Sequence, residues 1–220
     1  ALSSAIPDKV AAASSGTMNL MNIGGIDDRS GIYYNYVETY GGGQGAMHDS
    51  DGMDAVQNHM TNTRNAPVES IEVAYPLLVE GYGLVPDSEG AGKFRGGMGL
   101  QRKVRILGPE VSLTLSSDRS DITPWGLFGG ESSAPSSCVI EDDGGKNMNL
   151  PTKVTTRVQS QKIISTVTPG GGGWGDAKER DPKSVLRDVV MGLVSIERAK
   201  SVYGVDIDGD TMTIIGKSCE

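Results

Sequence analysis

Four consecutive glycines, Gly170, Gly171, Gly172 and Gly173, stand between Pro169 and Trp174. A second run, Gly41-Gly42-Gly43, follows a stretch rich in tyrosine and β-branched residues. Ordering glycine costs more backbone entropy than ordering any other residue, so a folded chain that keeps such runs gains something from them. Each run admits two readings. One is a turn or flexible tether; the other is a loop whose backbone N–H groups approach a phosphate or carboxylate. Pro169, Trp174 and a helix expected near Asp181 argue against a tether for the run at 170–173, which is expected to face a ligand. The run at 41–43 lacks the GxxxxGK[ST] arrangement of a nucleotide-binding P-loop.

Glycine supplies 31 of the 220 residues, roughly twice its usual share, and aromatics only 5%. That balance suits a loop-rich, largely β protein rather than a helical bundle. A net charge of −8 argues against nucleic acid or an anionic membrane as partner, since both need a basic face. No apolar run reaches the ~18 residues of a membrane span. Cys138 and Cys219 lie far apart without a CxxC, so neither a disulfide framework nor a structural zinc site is expected. A reduced, cytoplasmic setting is the default. Ala1-Leu2-Ser3-Ser4 lacks a signal-peptide pattern and Ala1 is no initiator methionine, so the chain reads as the later part of something longer.

Along the chain, residues 2–13 read as the end of a short helix, with Leu2, Ile6 and Val10 on one face and Pro7 as a breaker. Residues 23–40 form two strand candidates divided at Asp27-Asp28. Met53, Val56 and Met60 suggest a short helix ended before Pro67, and 71–84 reads as extended. Residues 100–107 alternate apolar and basic, predicting one buried and one wet face. Further strands are expected at 111–115, at 137–141 before the turn Asp142-Asp143-Gly144-Gly145, and once or twice within 154–167. No βαβ alternation appears, which argues against a parallel Rossmann-type sheet. Asp181 and Pro182 open a helix with the stripe Val185, Leu186, Val189 and Val190, stopped by Gly192. Ser195 caps a second helix, with Glu197 near its positive end and Gly204 closing it. The fold class is therefore α+β: mainly antiparallel β with glycine-rich loops and a short C-terminal helical hairpin. Residues 1–178 are expected to be β-rich, 179–204 the hairpin, and 205–220 a tail with a strand at 212–215.

Chemistry-bearing residues concentrate within 38–72, around the run Asn58-His59-Met60-Thr61-Asn62-Thr63-Arg64-Asn65. His59, beside Asn58, Asn62 and Arg64, is a candidate for acid–base work, although a lone histidine is more often structural. His48 reads as solvated. Glu38 leaves a strand directly into the glycine run. It could bind a metal, orient water or act as base; equally it could be a buried glutamate satisfied by backbone N–H groups. Arg64 and Arg95 offer planar donor forks for phosphate or carboxylate, or alternatively internal ion pairs. The clusters Asp49/Asp51/Asp54 and Asp206/Asp208/Asp210 lack the distal glutamate of a calcium loop and read as surface turns. Trp125-Gly126-Leu127-Phe128 reads as hydrophobic packing at a turn.

The order of these phrases resembles the hydantoinase B / 5-oxoprolinase family along nearly the whole chain. The resemblance is carried by Gly16-Thr17-Met18-Asn19, Glu38-Thr39-Tyr40-Gly41-Gly42-Gly43, Asp51-Gly52, His59-Met60-Thr61-Asn62-Thr63 and Pro67-Val68-Glu69. It continues through Pro86-Asp87-Ser88, Gly90-Ala91-Gly92-Lys93-Phe94-Arg95-Gly96-Gly97, Trp125-Gly126-Leu127-Phe128-Gly129-Gly130, the 168–176 stretch and Tyr203-Gly204-Val205. Glu89 departs from the pattern, which usually has glycine there, and adds a charge and a β-carbon to that turn. The resemblance covers the C-terminal portion of much larger proteins related to ketone carboxylase large subunits.

Resemblance implies part of an ATP-dependent hydrolase that opens a cyclic amide, handling a phosphorylated carbonyl made by a partner subunit. Ketone carboxylation, or a non-catalytic β-rich scaffold module, are the alternatives. It further implies an ATP-binding hydantoinase A-like subunit, the N-terminal part of the same family unit and a small-molecule substrate as partners. A divalent metal is implied for the full enzyme, with its ligands upstream, so no residue here is assigned to metal. Glu38, His59 and Asn62 are the catalytic candidates. Gly41, Gly42, Gly43, Arg64, Arg95, Gly170, Gly171, Gly172 and Gly173 are the candidates for holding substrate or phosphate.

Overall fold

A computed structural model describes residues 2–59, 61–142, 144–145 and 147–217. In chain order its strands are β1 (Leu20–Asp27), β2 (Ile32–Thr39), β3 (Leu77–Leu84), β4 (Leu100–Ile106), β5 (Val111–Ser116) and β6 (Ser137–Glu141). They continue as β7 (Met148–Leu150), β8 (Lys153–Val158), β9 (Ile163–Val167), β10 (Val205–Asp208) and β11 (Thr213–Lys217). The helices are α1 (Leu2–Ala5), α2 (Val68–Ala74), α3 (Pro182–Val190) and α4 (Ile196–Ser201). No helix among the described residues is long and apolar enough to cross a membrane.

Two antiparallel sheets carry the β-rich part, with strand orders β2-β1-β5-β8 and β3-β4-β9-β6-β7. Alternation, regular in β4 and β5, gives each sheet one apolar face. Met21, Ile23, Tyr36, Leu113 and Leu115 of the first join Leu77, Leu100, Val104, Ile106, Ile140 and Ile164 of the second in one buried cluster. This is the interior expected of two sheets packed face to face. Buried Cys138 belongs to it, and desolvation pushes its thiol up to about 12; Cys219 lies outside the described residues.

A second cluster joins α3, α4 and β10 through Val185, Val189, Leu193, Ala199, Tyr203, Val205 and Ile207, with Ile214 of β11 packed against it and Ala91 and Met98 from the β-rich part. The expected caps form here. The Asp181 side chain accepts from Ser184 N, the Ser195 side chain accepts from Arg198 N, and Gly192 and Gly204 sit at φ +70° and +69°. The architecture is α+β, mainly antiparallel, as expected.

Several local expectations fail for identifiable reasons. Residues 53–59 are not helical; Val56 instead bridges to Gly42, and Met60 lies outside the described residues. The helix comes after Pro67, not before it. Pro67 has φ −55° and ψ 138°, directly ahead of α2, and Glu69 lies in the helix's first turn, where its charge meets the positive end of the dipole. The β-branched residues Val68, Ile71 and Val73 gave this segment its extended look. A strand at 205–208 was not foreseen and pairs with the tail strand. The packing expected at the turn 125–128 lies at the surface, with Trp125 and Phe128 52% and 49% exposed. Arg119 lies over the Trp125 ring at 5.6 Å, and Phe128 packs on Trp174 at 5.3 Å. His48 is only half-buried, with its ring 6.4 Å from that of Trp174.

Candidate active site

The tetraglycine run is buried and threads between other backbone segments. Gly171, Gly172 and Gly173 donate their N–H groups to the carbonyls of Gly97, Ala13 and Glu131 at 2.9, 2.8 and 3.0 Å. Their own carbonyls accept from Gly90, Ala46 and Leu127. A β-carbon at 170, 171, 172 or 173 would come within 2.0, 1.9, 2.1 or 2.0 Å of a carbonyl oxygen of Ser88, Gln44, Trp125 or Ala91. Glycine is required here because neighbouring main chains occupy the space of a side chain. The N–H groups of 171–173, expected to meet a ligand, are committed to the protein's own backbone. Gly43 is held the same way, donating to Pro169 O at 2.9 Å, and Gly42 donates to Val56 O at 3.0 Å.

Beside this glycine body opens a cavity of about 630 Å³. Gly41, Gln57, Asn62, Arg64, Tyr82 and Arg102 are among its lining residues, and none of the lining residues is acidic. The local sequence explains the wall at 57–66. Gln57 and Asn65 both donate side-chain amides to Thr39 O, at 3.2 and 3.0 Å, and Asn58 donates to Ser15 Oγ at 3.2 Å. These amides tie the polar run to the end of β2 in place of regular secondary structure. Asn62 and Arg64 have no side-chain partner among the described residues and lie at the cavity. A separate void of about 20 Å³ between the sheets has room for one water and is too small for a substrate.

Arg102 forms the deep end. It lies on β4 in phase with Leu100, Val104 and Ile106, and it is 1% exposed. Its Nη2 is 3.4 Å from Glu38 Oε2, and its guanidinium carbon lies 4.5 Å over the ring of Tyr82, its cross-strand partner on β3. None of its three guanidinium nitrogens makes a hydrogen bond. Glu38 is buried behind it. One carboxylate oxygen accepts from Ala66 N at 2.8 Å and the other from the Tyr36 hydroxyl. Burial and this bond to Glu38 hold the Tyr36 hydroxyl well above its ordinary pKa. Tyr82 in turn donates to Asn65 Oδ1 at 2.8 Å, linking the stacked ring to the cavity wall.

The structure thus brings Gly41, Asn62 and Arg64 to one cavity, with Glu38 directly behind Arg102. His59 is exposed, adopts φ +59° and is not among the lining residues. Arg95 lies elsewhere, in a buried ion network. It donates to Asp54 Oδ1 at 2.9 Å and approaches Asp188 at 3.3 Å, while Arg180 binds Asp51 and Asp188 at 2.6 and 2.7 Å. The Asp51 and Asp54 carboxylates therefore clamp arginines and do not form a surface turn. Burial alone would raise the Asp51 carboxyl, but Arg180, with Arg95, holds it below its ordinary 3.8. The second acidic cluster is a turn: Asp208 accepts from Asp210 N and Thr211 N. Glu89 is buried, taking Arg198 Nε at 2.8 Å and the Tyr203 hydroxyl at 3.0 Å; burial still leaves its carboxyl above the ordinary value. The adjoining close approach falls on Gly90, whose β-carbon would lie 2.3 Å from Glu131 O.

Sequence reasoning missed Arg102, Tyr82 and Tyr36. A signal for Arg102 was present: it is the one charged residue in the apolar phase of the alternating 100–106 strand. Among the described residues no group of three or more His, Cys, Asp or Glu side chains could hold a metal ion, so no step is routed through one here.

A profile of the Hydantoinase B/oxoprolinase family matches residues 1–177. A protein of Pseudomonas sp. (strain NS671), provisionally named as the B component of a D-/L-hydantoinase, is 36% identical over 209 residues, spanning 94% of this chain and 35% of that one. The crystal structure of an ATP-dependent caprolactamase from Pseudomonas jessenii superposes with a TM-score of 0.80 at 30% identity, covering 96% of this chain and 38% of that one. A nucleotide-free acetone carboxylase gives 0.79 at 21% identity, covering 96% and 32%, a likeness of fold alone. The chain spans about a third of the length of the first curated relatives it matches.

Proposed function

The chain belongs to the hydantoinase B/oxoprolinase family, and on that premise we propose that it is part of an ATP-dependent enzyme that opens cyclic amides. An amide carbonyl is a poor electrophile. Phosphorylation of its oxygen by an ATP-binding partner of the hydantoinase A type supplies the activation. Water then adds at the carbon and the ring C–N bond breaks, with the electron pair and a proton going to nitrogen; a second water cleaves the resulting acyl phosphate, releasing inorganic phosphate and leaving the ring-opened carboxylate. This chain's part is to hold the activated ring, balance its negative charge and orient water.

The observation that carries the reading is the cavity itself: in a chain of net charge −8, its lining includes two arginines, two asparagines and no carboxylate. Arg64, exposed and without an ion-pair partner among the described residues, suits phosphoryl oxygens at the water-accessible side. Asn62 can position water. Glu38, with both oxygens engaged and Arg102 alongside, acts as a positioning residue.

The test uses the assembled enzyme with Arg64→Ala and Asn62→Ala. Lactam opening is expected to fall by roughly 10²-fold or more, as when a transition-state donor is removed, while thermal stability stays put. Unchanged turnover in both variants would leave a scaffold role instead. Incorporation of labelled bicarbonate in place of ring opening would move the enzyme to ketone carboxylation.

A further inference from the structure

We propose that Asp188 and Arg95 are positioning residues for the cavity: acting through Asp54, they hold its 53–57 wall in a conformation the wall would not keep alone, so that helix α3 sets where the activated ring sits. This rests on the ring-opening reading and adds to it the residues that fix the cavity's shape from outside.

Ala55 points to the device. It is a non-glycine residue at φ +47°, and it lines the cavity with Met53, Val56 and Gln57. A β-carbon is strained in that region, and such strain persists only where the surroundings over-determine it. Two sets of bonds do so here. Main chain holds the segment: Gly52 N donates to Arg95 O at 2.8 Å, Ala55 N donates to Met98 O at 3.0 Å, and Val56 and Gly42 exchange N–H···O bonds at 2.9 and 3.0 Å. The other set centres on Asp54, the one residue of 53–57 that does not line the cavity. Its Oδ1 accepts from Met98 N at 2.8 Å and from Arg95 Nη1 at 2.9 Å. The carboxylate next to the strained residue is therefore clamped.

Arg95 carries the clamp to α3. Its Nη1 also donates to Gly96 O at 3.0 Å, and its Nε lies 3.3 Å from Asp188 Oδ1, with side chains only 7% and 2% exposed. The other Asp188 oxygen accepts from Arg180 Nη2 at 2.7 Å, and Arg180 in turn grips Asp51, three residues before Asp54. A guanidinium is rigid and planar and so ties two carboxylates in a fixed relation. Among the described residues, none that lines the cavity comes from 179–217. Whatever Asp188 does to a bound ring must pass through Arg95 and Asp54 or through Arg180 and Asp51. Misplacing bound reactants by about 1 Å is enough to cost on the order of 10²-fold in rate.

The experiment compares the assembled enzyme unaltered, with Asp188→Asn, with Ala55→Gly and with both changes. Asparagine keeps the shape of Asp188 and removes the charge that Arg95 and Arg180 share. Asp188→Asn should lower kcat for lactam opening by roughly 10-fold or more per folded molecule. Glycine takes φ +47° without strain, so a wall carrying it needs the clamp less. With Ala55→Gly present, the same Asp188→Asn change should cost no more than about threefold. Hydrogen exchange of the substrate-free proteins gives a second readout: Asp188→Asn should speed exchange at 53–57 by about tenfold or more relative to 100–106 of β4. Asp54 is 26% exposed, and Asp54→Asn provides the same comparisons if Asp188→Asn does not fold. An unchanged kcat in the folded variant, or an equal loss with and without Ala55→Gly, overturns the proposal, because a residue that only stabilises the fold behaves so. If the unaltered enzyme opens no lactam, the ring-opening reading fails and exchange alone decides. Faster exchange confined to 53–57 then upholds the positioning role, and exchange there that changes no more than in β4 overturns it.

Discussion

Arg102 and Glu38 face each other at 3.4 Å between the two sheets, their side chains 1% and 7% exposed. Glu38 further accepts from Ala66 N and from the Tyr36 hydroxyl, so the pair is embedded in bonds that fix the Glu38 carboxylate. Removing one partner leaves a buried charge uncompensated. Glu38→Ala is expected to lower stability by about 3–5 kcal/mol, read by urea unfolding. Were Glu38 a free general base, Glu38→Gln would abolish turnover with unfolding unchanged, and that outcome would reassign it.

The glycine body makes a sharper prediction. At Gly171 a β-carbon would stand 1.9 Å from Gln44 O, while at Gly83 nothing lies within 4 Å. Gly171→Ala should therefore destabilise by at least ~3 kcal/mol, at or beyond the upper end of overpacking costs. Gly83→Ala should be neutral or stabilising by about 0.4–1 kcal/mol. Thermal unfolding of the two variants side by side decides, and equal melting temperatures would mean that 170–173 is a loop with room around it.

His59 separates two accounts of the polar run. It is exposed, sits at φ +59° and is not among the residues lining the cavity. His59→Gly should stabilise the fold by roughly 1 kcal/mol, since non-glycine residues pay about 1–2 kcal/mol in that region. His59→Ala should leave turnover within about twofold, against the 10²–10⁴-fold loss typical of a missing acid–base group.

Acid stability follows from Asp51. Its carboxyl is held below 3.8 in the folded state, so it binds fewer protons folded than unfolded near that pH. Its contribution is fully present above 3.8 and is lost as pH falls through the lowered folded value. Asp51→Asn should be less stable than the unaltered protein at neutral pH, with the gap closing as pH drops below about 3.8. A gap that stays constant down to the lowest pH reached would show that Arg180 and Arg95 do not depend on this charge.

What could be read in advance was local. Period-two alternation located β4 and β5, and the caps at Asp181 and Ser195 located α3 and α4, because each signal lies within a few neighbouring residues. The assignment of β8 and β9 to different sheets depends on partners far away in the chain. So does the surrounding of 170–173 by carbonyls from 44, 88, 91 and 125. The site was legible to the same extent. Gly41, Asn62 and Arg64 stood out by composition, whereas Arg102 needed its strand's phase to be taken seriously, and Arg95 needed Asp54 and Asp188.

A wall made of interleaved main chains cannot be resized one residue at a time. Where side chains fill an interior, a methylene can be traded for another shape; at 170–173, where a carbonyl oxygen stands 1.9–2.1 Å from each β-carbon position, there is nothing to trade. Residues 170–173 do not line the cavity, so substrate range diversifies at the residues that do. The positions open to change are Met53, Thr63, Pro67 and Val68, which line the cavity without belonging to the glycine body or to the residues assigned to chemistry. Attempts to accept larger rings should place their libraries there and leave the glycines alone.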